Sequence, residues 1–201
     1  MITTLASLMI LTAGECSWNP NHYIPQRPTV LIEEHKDTVI RALLPWARAA
    51  DISFNVVWGG ETPDITIRSY NSDLDADCPA VANNVVAFTR DGAIVVLNWG
   101  SPDLYSVILH EVGHVLGLSH SNSTENVMWP VLRSYEDIGE EDCARIRQIY
   151  GPALTDKVGV TESNILMWWI DAVSRVWGFG HRPTGATGMN AWTTLCVICP
   201  R

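Results

Sequence analysis

Apolar residues recur at helical spacing in three segments of the chain. In the first, from Thr29 onward, they lie three and four residues apart with charged residues between them, and we expect Pro45 to kink or end this helix. The second helix is predicted to start near Ser101 and to stop at Gly117. The third is predicted over about residues 140–150, before a Gly-Pro pair that terminates it.

Short apolar runs between the first two helices predict β-strands. These runs lie at residues 53–58, 64–69, 85–88 and 93–98. The last two flank residues 89–92, whose Asp-Gly pair is typical of a hairpin turn. The order of helix, strands and two further helices predicts a mixed α/β domain of about 125 residues.

The 201-residue chain has the composition of an acidic globular protein. It holds 13 Lys and Arg against 22 Asp and Glu, a formal charge of −9, which argues against nucleic acid as a partner. Its hydrophobic content of 47% is too high for intrinsic disorder. No uncharged apolar stretch reaches about 18 residues, so no transmembrane span is predicted.

The two ends of the chain are interpreted separately from this domain. Residues 1–15 are almost entirely uncharged, which favours either a secretory signal peptide or a buried or membrane-touching segment. Residues 153–201 are predicted to form a short linker and a tryptophan-rich amphipathic helix over about 162–177, capped by Thr161. Docking of this helix on the domain or on another chain is favoured over peripheral membrane contact, because its polar face carries one cation. Nothing in the sequence indicates an oligomeric state.

The strongest chemical signal is the segment HEVGHVLGLSH at residues 110–120. His110 and His114 are four residues apart, so on a helix both imidazoles project from one face and can bind one metal ion. Gly117 permits a left-handed turn that brings His120 back as a third ligand. Three histidines and an open fourth position are typical of a catalytic zinc.

Glu111 stands beside these histidines without being a predicted ligand. A catalytic zinc lowers the pKa of its water to about 7, and we expect Glu111 to take a proton from that water before it attacks a carbonyl polarised by the metal. A surface or capped-core histidine pair is the structural alternative. Three histidines, one glutamate and one glycine in a single pattern favour the zinc site over it.

This motif resembles that of the metzincin metalloproteases, and among them the matrixins, which are the catalytic domains of matrix metalloproteinases. It fits their HExxHxxGxxH pattern, Ser121 follows the third histidine as in matrixins, and residues 127–130 (VMWP) are similar to their Met-turn. The resemblance covers about residues 22–152. It implies a catalytic domain over 16–152 with a zincin-like α+β fold: a twisted, mostly parallel sheet, an active-site helix and a C-terminal helix.

The resemblance also implies where substrate would bind. The strand Val85, Val86, Ala87 and Phe88 would be an edge strand above the zinc, to which an extended peptide pairs through main-chain hydrogen bonds. Met128 would lie under the zinc ligands. Pro130, Val131 and Leu132 would form the wall of the pocket for the residue after the scissile bond. Matrixins usually carry Tyr where Leu132 stands, which changes the shape of that pocket.

Several features depart from the matrixin pattern. Residues 70–100 contain no histidine, so the second, structural zinc of matrixins is not expected. Calcium at Asp73, Asp75 and Asp77 is an alternative to a solvated acidic loop, and the loop is favoured because no liganding Gly or Glu follows at a recognisable interval. The inhibitory Pro-Arg-Cys-Gly motif is missing, and Cys16 is interpreted as a signal-proximal or disulfide cysteine.

The remaining cysteines leave alternatives open. Cys78 and Cys143 are candidates for a pair across the fold. Cys196 and Cys199 form a single CxxC, favoured as a tail disulfide or two free thiols over a zinc site with His181.

Taken together, the sequence predicts a secreted zinc-dependent metalloendopeptidase that cleaves protein or peptide substrates and has one catalytic Zn²⁺. Three alternatives stay open: a peptidase restricted to chain ends, one restricted to a single partner, and a zinc-stabilised binding or structural protein without activity. A viral or phage setting also stays open.

Overall fold

The computed structural model describes residues 23–59, 62–76, 78, 85–154 and 159–162. Within these residues six strands and three helices are present. The strands are β1 (Thr29–Ile32), β2 (Phe54–Val57), β3 (Ile65–Ser69), β4 (Ala87–Arg90), β5 (Ala93–Val96) and β6 (Val160–Glu162). The helices are α1 (Lys36–Ala49), α2 (Leu104–Val115) and α3 (Glu140–Tyr150).

The six strands form one sheet in the order β4-β5-β3-β1-β2-β6. All neighbouring strands are parallel except β4 and β5, which are antiparallel. This arrangement confirms the predicted mixed α/β fold with a mostly parallel sheet. It also places β4 at one edge, where one side of the strand has no partner among the described residues.

The start of the domain differs from the predicted helix. Thr29–Ile32 is strand β1, in which Val30 and Ile32 are buried and alternate with half-buried residues. Four residues are too few for their spacing to separate a period of two from a period of 3.6, so the prediction of a helix from Thr29 is wrong for residues 29–32. The helix starts at Lys36, after His35 in a left-handed conformation with φ 51°.

Pro45 does not end α1, which continues to Ala49. Proline in a helix removes one backbone hydrogen bond and disfavours the preceding turn. Here Pro45 is itself buried on the same helix as Val39, Leu43 and Trp46. Packing of this apolar face against the core therefore outweighs the local cost of the proline.

The hairpin forms at the predicted turn, but its first strand is shifted. Asp91 and Gly92 both have positive φ, 44° and 78°, as a two-residue hairpin turn of this kind requires. Strand β4 begins at Ala87, two residues later than predicted, and ends at Arg90. The carbonyl of Val86 instead accepts the backbone N–H of Leu97 at 2.9 Å, so the chain leaves the regular ladder there.

The segment after residue 152 contributes to the sheet. Val160–Glu162 forms β6, which pairs with β2 in the register Phe54 to Val160, although the sequence predicts a linker over 153–161. Thr161 therefore lies in a strand and does not cap a helix. The rest of the predicted tail helix, the predicted signal peptide, Asp77, Cys16, Cys196, Cys199 and His181 lie outside the described residues.

Helices α1 and α2 pack against each other around Trp46 and Gly113. The indole Nε1 of Trp46 donates to the carbonyl of Leu109 at 3.1 Å in the buried core. A Cβ at Gly113 would lie 3.0 Å from the Trp46 ring and closer still to the sulfur of Met128. The missing side chain at Gly113 therefore lets Trp46 and Met128 approach the backbone of the helix that carries two of the histidines.

Cys78 and Cys143 are both disulfide-bonded. Cys78 belongs to a small cluster with Val85, Phe88 and Val95, whereas Cys143 belongs to the main hydrophobic core. No helix among the described residues is long and apolar enough to cross a membrane.

The loop after β3 is held by a buried ion pair. Both carboxylate oxygens of Asp75 accept hydrogen bonds from Arg68, at 2.7 and 2.8 Å, and Asp75 also accepts the backbone N–H of Asn71. Asp75 is fully buried. The hydrogen bonds from Arg68 hold the pKa of the Asp75 carboxyl below its ordinary value.

We predict that Asp75→Asn lowers the free energy of unfolding at pH 7 by about 2–4 kcal/mol, because it leaves Arg68 without its counter-charge. Because the pKa of Asp75 is lowered in the folded state, the ion pair stabilises the fold at pH values above the ordinary carboxyl pKa of about 4. This stabilisation is lost as the pH falls further. The difference between wild type and Asp75→Asn should therefore shrink at pH 3. Urea unfolding at both pH values measures it.

Asp73→Asn is the matched control, because Asp73 lies in the same loop with an exposed side chain. Its unfolding free energy should stay within about 0.5 kcal/mol of the wild type. Equal losses in Asp73→Asn and Asp75→Asn would contradict a specific role for the ion pair.

Candidate metal centre

Helix α2 and the turn after it bring three histidines together. His110 and His114 lie one helical turn apart on α2, and both are buried. The helix ends where Gly117 adopts φ 97°, and the chain then returns with His120. The centroids of the three rings lie 4.7, 4.8 and 5.4 Å apart, and one candidate ligand atom from each lies within 4.8 Å of the others.

Backbone carbonyls fix the orientation of the two helical imidazoles. The Nδ1 of His110 lies 2.6 Å from the carbonyl oxygen of Val127, and the Nδ1 of His114 lies 2.8 Å from that of Leu118. A carbonyl can only accept, so each Nδ1 carries the proton. Each Nε2 is then left with a lone pair, which is the form that binds a metal.

The donor atoms fit a zinc ion. The Nε2 of His110 is buried and has no hydrogen-bond partner among the described residues. The Nε2 atoms of His114 and His120 lie 3.2 Å apart. Buried polar atoms normally have partners, and three imidazole nitrogens converging on one point are a ligand set that zinc prefers. His110, His114 and His120 would hold the ion.

Burial keeps these imidazoles neutral. It lowers the pKa of His110 well below its ordinary value, and the neighbouring His114 acts in the same direction. It lowers the pKa of His114 to about 4, and that of the half-buried His120 less strongly. Only the neutral ring offers a lone pair, so the centre is prepared for a cation at neutral pH.

Glu111 follows His110 directly on α2, the helix that carries two of the three histidines. Glu111 is 2% exposed, and its Oε2 accepts a hydrogen bond from the hydroxyl of Thr89 at 2.7 Å. Burial raises the pKa of Glu111 to about 7, and the hydrogen bond from Thr89 opposes this rise. A carboxylate with a pKa close to neutral can both accept and return a proton.

Met128 and its neighbours lie beneath the helix that carries His110 and His114. The sulfur of Met128 packs close to Gly113, and the carbonyl of Met128 accepts the backbone N–H of Ser121 at 2.7 Å. Val127 joins this segment to two other elements, because its carbonyl contacts His110 and its N–H donates to Asp142 Oδ2 at 2.7 Å. The segment after His120 is thus fixed between α2 and α3.

Sequence reasoning missed the polar residues that support the centre. Asp142 and Glu141 lie in the first turn of α3, where Glu141 accepts hydrogen bonds from Ser121 and Asn126. Acidic residues are common in the first turn of a helix because they interact favourably with its dipole, so their presence there does not indicate a contact with another segment. Thr89 lies inside the predicted hairpin turn, and nothing in its local pattern indicates a contact with Glu111.

The residues predicted to bind substrate fall into two groups. Val85, Val86, Ala87 and Phe88 are all buried, and β4 packs against α2. Pro130, Val131 and Leu132 are half-buried, and Leu132 packs against the main core. The chain after Leu132 is attached to α2 by Ser106, whose hydroxyl accepts the N–H of Tyr135 at 2.9 Å.

Comparison with known proteins agrees with this geometry. The family model described as Matrixin matches residues 18–151. Metalloendoproteinase 2-MMP of Arabidopsis thaliana is 28% identical over 82% of this chain, and stromelysin-1 of Rattus norvegicus is 27% identical over 69%. Karilysin of Tannerella forsythia is 26% identical over 67%. The matched segment spans 54% of 2-MMP, 34% of stromelysin-1 and 33% of karilysin, so each relative is much longer than the part it shares.

We predict that the full chain binds one zinc ion and that His114→Ala weakens this binding by more than about 100-fold. Loss of a group that only hydrogen-bonds to a metal ligand already lowers the metal affinity about 10- to 100-fold, and loss of the ligand itself should cost more. Competition with a chromogenic chelator measures the affinity, and elemental analysis gives the stoichiometry. His35→Ala is the control, because His35 is exposed and stacks on Trp99 outside the cluster. Wild-type zinc affinity in His114→Ala would contradict the proposed ligand set.

Proposed function

Because the chain belongs to the matrixin family, we propose that it is a zinc-dependent metalloendopeptidase that hydrolyses peptide bonds within proteins. The observation that supports this most directly is the convergence of three imidazoles, two of them on the helix that also carries the buried Glu111. A closed structural zinc site has four protein ligands, whereas three histidines leave a position for water or substrate.

The residues of the centre would divide the chemistry between them. His110, His114 and His120 hold the ion through their Nε2 atoms. A bound zinc supplies a water of lowered pKa and polarises the scissile carbonyl. Glu111 takes a proton from the attacking water and delivers it to the leaving amine. Its buried position, which raises its pKa to about 7, suits both steps.

Substrate would bind along the free edge of β4. The edge strand of a sheet presents unpaired backbone groups, and an extended peptide can add to it as a further strand. Ala87 and Phe88 of β4, with Val85 and Val86 just before it, would offer the backbone groups with which the peptide pairs. Pro130, Val131 and Leu132 would contact the side chain after the scissile bond, and their apolar character favours an apolar residue at that substrate position.

A secreted location would fit two observations. Cys78 and Cys143 are disulfide-bonded, and structural disulfides are typical of oxidising compartments. The apolar N-terminal segment has features of a secretory signal. Detection of the mature chain in the culture medium by mass spectrometry would test both the location and the cleavage site.

We predict that Glu111→Gln lowers kcat/KM on internally quenched peptides by at least about 100-fold, because the amide cannot accept the proton. Zinc content should stay at the wild-type value, since Glu111 is not a proposed ligand. Glu140→Gln is the matched control, because Glu140 is exposed at the start of α3. It should retain wild-type activity.

The same assays separate the alternatives. Cleavage by the wild type of peptides blocked at both ends would exclude a peptidase restricted to chain ends. Full zinc occupancy with no cleavage of a broad peptide library would favour a non-catalytic zinc protein or one specific for a single partner. Wild-type turnover by Glu111→Gln would contradict the proposed base.

The pocket assignment gives a further prediction. Leu132→Ala should enlarge the site for the residue after the scissile bond. It should raise relative kcat/KM for bulky aromatic residues there by at least about 10-fold, since a single methylene is worth about 1–3 kcal/mol in such a pocket. A peptide library varied at that position measures the change. Arg133→Ala is the control, because Arg133 is exposed. Unchanged preferences in Leu132→Ala would contradict the assignment.

A further inference from the structure

The proposed base is not held by its own helix alone. Helix α2 carries Glu111, but the hydrogen-bond partner of its carboxylate comes from β4, through Thr89. Thr89 is 1% exposed, so water does not compete for this contact. The link joins two residues that lie 22 positions apart in sequence, on two different elements.

The geometry identifies the acceptor of the threonine proton. The Oγ1 of Thr89 lies 2.7 Å from Glu111 Oε2 and 3.1 Å from the backbone oxygen of Glu111. A hydroxyl has one proton to donate. The shorter contact to the carboxylate is the stronger one, because hydrogen bonds to charged acceptors are shorter and stronger than those to neutral ones.

We propose that Thr89 is a positioning residue that orients the carboxylate of Glu111 for proton transfer. It fixes Oε2 against β4, so that Oε1 is the oxygen that remains to take a proton from the attacking water. A glutamate side chain otherwise rotates about three bonds, and a displacement of about 1 Å is enough to slow a proton transfer strongly. This inference rests on the proposed peptidase function, since it assigns a role toward the same base.

The position of Thr89 also connects the base with the strand proposed to bind substrate. Thr89 follows Phe88 directly on β4, and β4 packs against α2. Any shift of β4 relative to α2 would therefore move the partner of Glu111. Through the hydroxyl of Thr89, the orientation of the Glu111 carboxylate therefore depends on the position of β4.

The test compares three variants of the full chain. Thr89→Val keeps the shape of the side chain and removes the hydroxyl, while Thr89→Ser keeps the hydroxyl and removes the methyl group. Thr66→Val makes the same chemical change on β3, away from Glu111. Kinetics on quenched peptides give kcat and KM separately, and crystal structures of the zinc-free variants show the orientation of the Glu111 carboxylate.

Thr89→Val should lower kcat by about 10- to 100-fold, the range found for partners that orient catalytic groups. KM should change less than twofold, and the Glu111 carboxylate should rotate away from its wild-type position. Thr89→Ser should recover most of the kcat, and Thr66→Val should match the wild type. Wild-type kcat in Thr89→Val, or equal losses in Thr89→Ser and Thr89→Val, would overturn the proposal.

The structural readout separates this inference from the peptidase proposal. A wild type that cleaves no peptide would contradict the proposed function, whereas the crystal structures would still show whether the hydroxyl orients Glu111. An unchanged carboxylate in Thr89→Val would overturn the positioning role even if the protein is an active peptidase.

Discussion

The hydrogen bond between His110 Nδ1 and the carbonyl of Val127 is the contact on which the rest of the centre depends. At 2.6 Å it fixes the tautomer of His110 and turns its Nε2 toward the other two imidazoles. The backbone N–H of the same residue, Val127, donates to Asp142 on α3. The backbone of Val127 thus connects a proposed zinc ligand with a carboxylate of the last helix, so the position of α3 affects the geometry of the metal centre.

Packing beneath α2 imposes a second constraint. Val127 can reach His110 only if the neighbouring Met128 fits under the helix, and Met128 fits only because Gly113 has no side chain. Trp46 fills the adjacent space and donates to the carbonyl of Leu109, immediately before His110. Gly113 lies within the histidine motif and also in the packing that orients the histidines. A substitution at Gly113 would therefore disturb the core and the centre together.

The sequence predicts the centre better than its surroundings, for physical reasons. His110, His114 and His120 are set by helical spacing and one turn, which are local properties of eleven residues. Thr89 contacts Glu111 across 22 residues of chain, and Asp142 contacts Val127 across 15, and no local pattern encodes such contacts. The strands β1 and β6 have four and three residues, too short for periodicity to define them, and only pairing in the sheet identifies them.

The buried polar groups of the centre oppose folding when no cation is bound. The Nε2 of His110 lacks a partner among the described residues, and an unsatisfied buried group of this kind costs about 1–3 kcal/mol. The Nε2 atoms of His114 and His120 lie 3.2 Å apart, and Glu111 is buried with one hydrogen-bond donor to its side chain among the described residues. A cation that satisfies the three nitrogens removes much of this cost, so its binding free energy adds to the stability of the fold. The residues that would bind zinc are therefore the same residues whose burial lowers the stability of the fold without zinc.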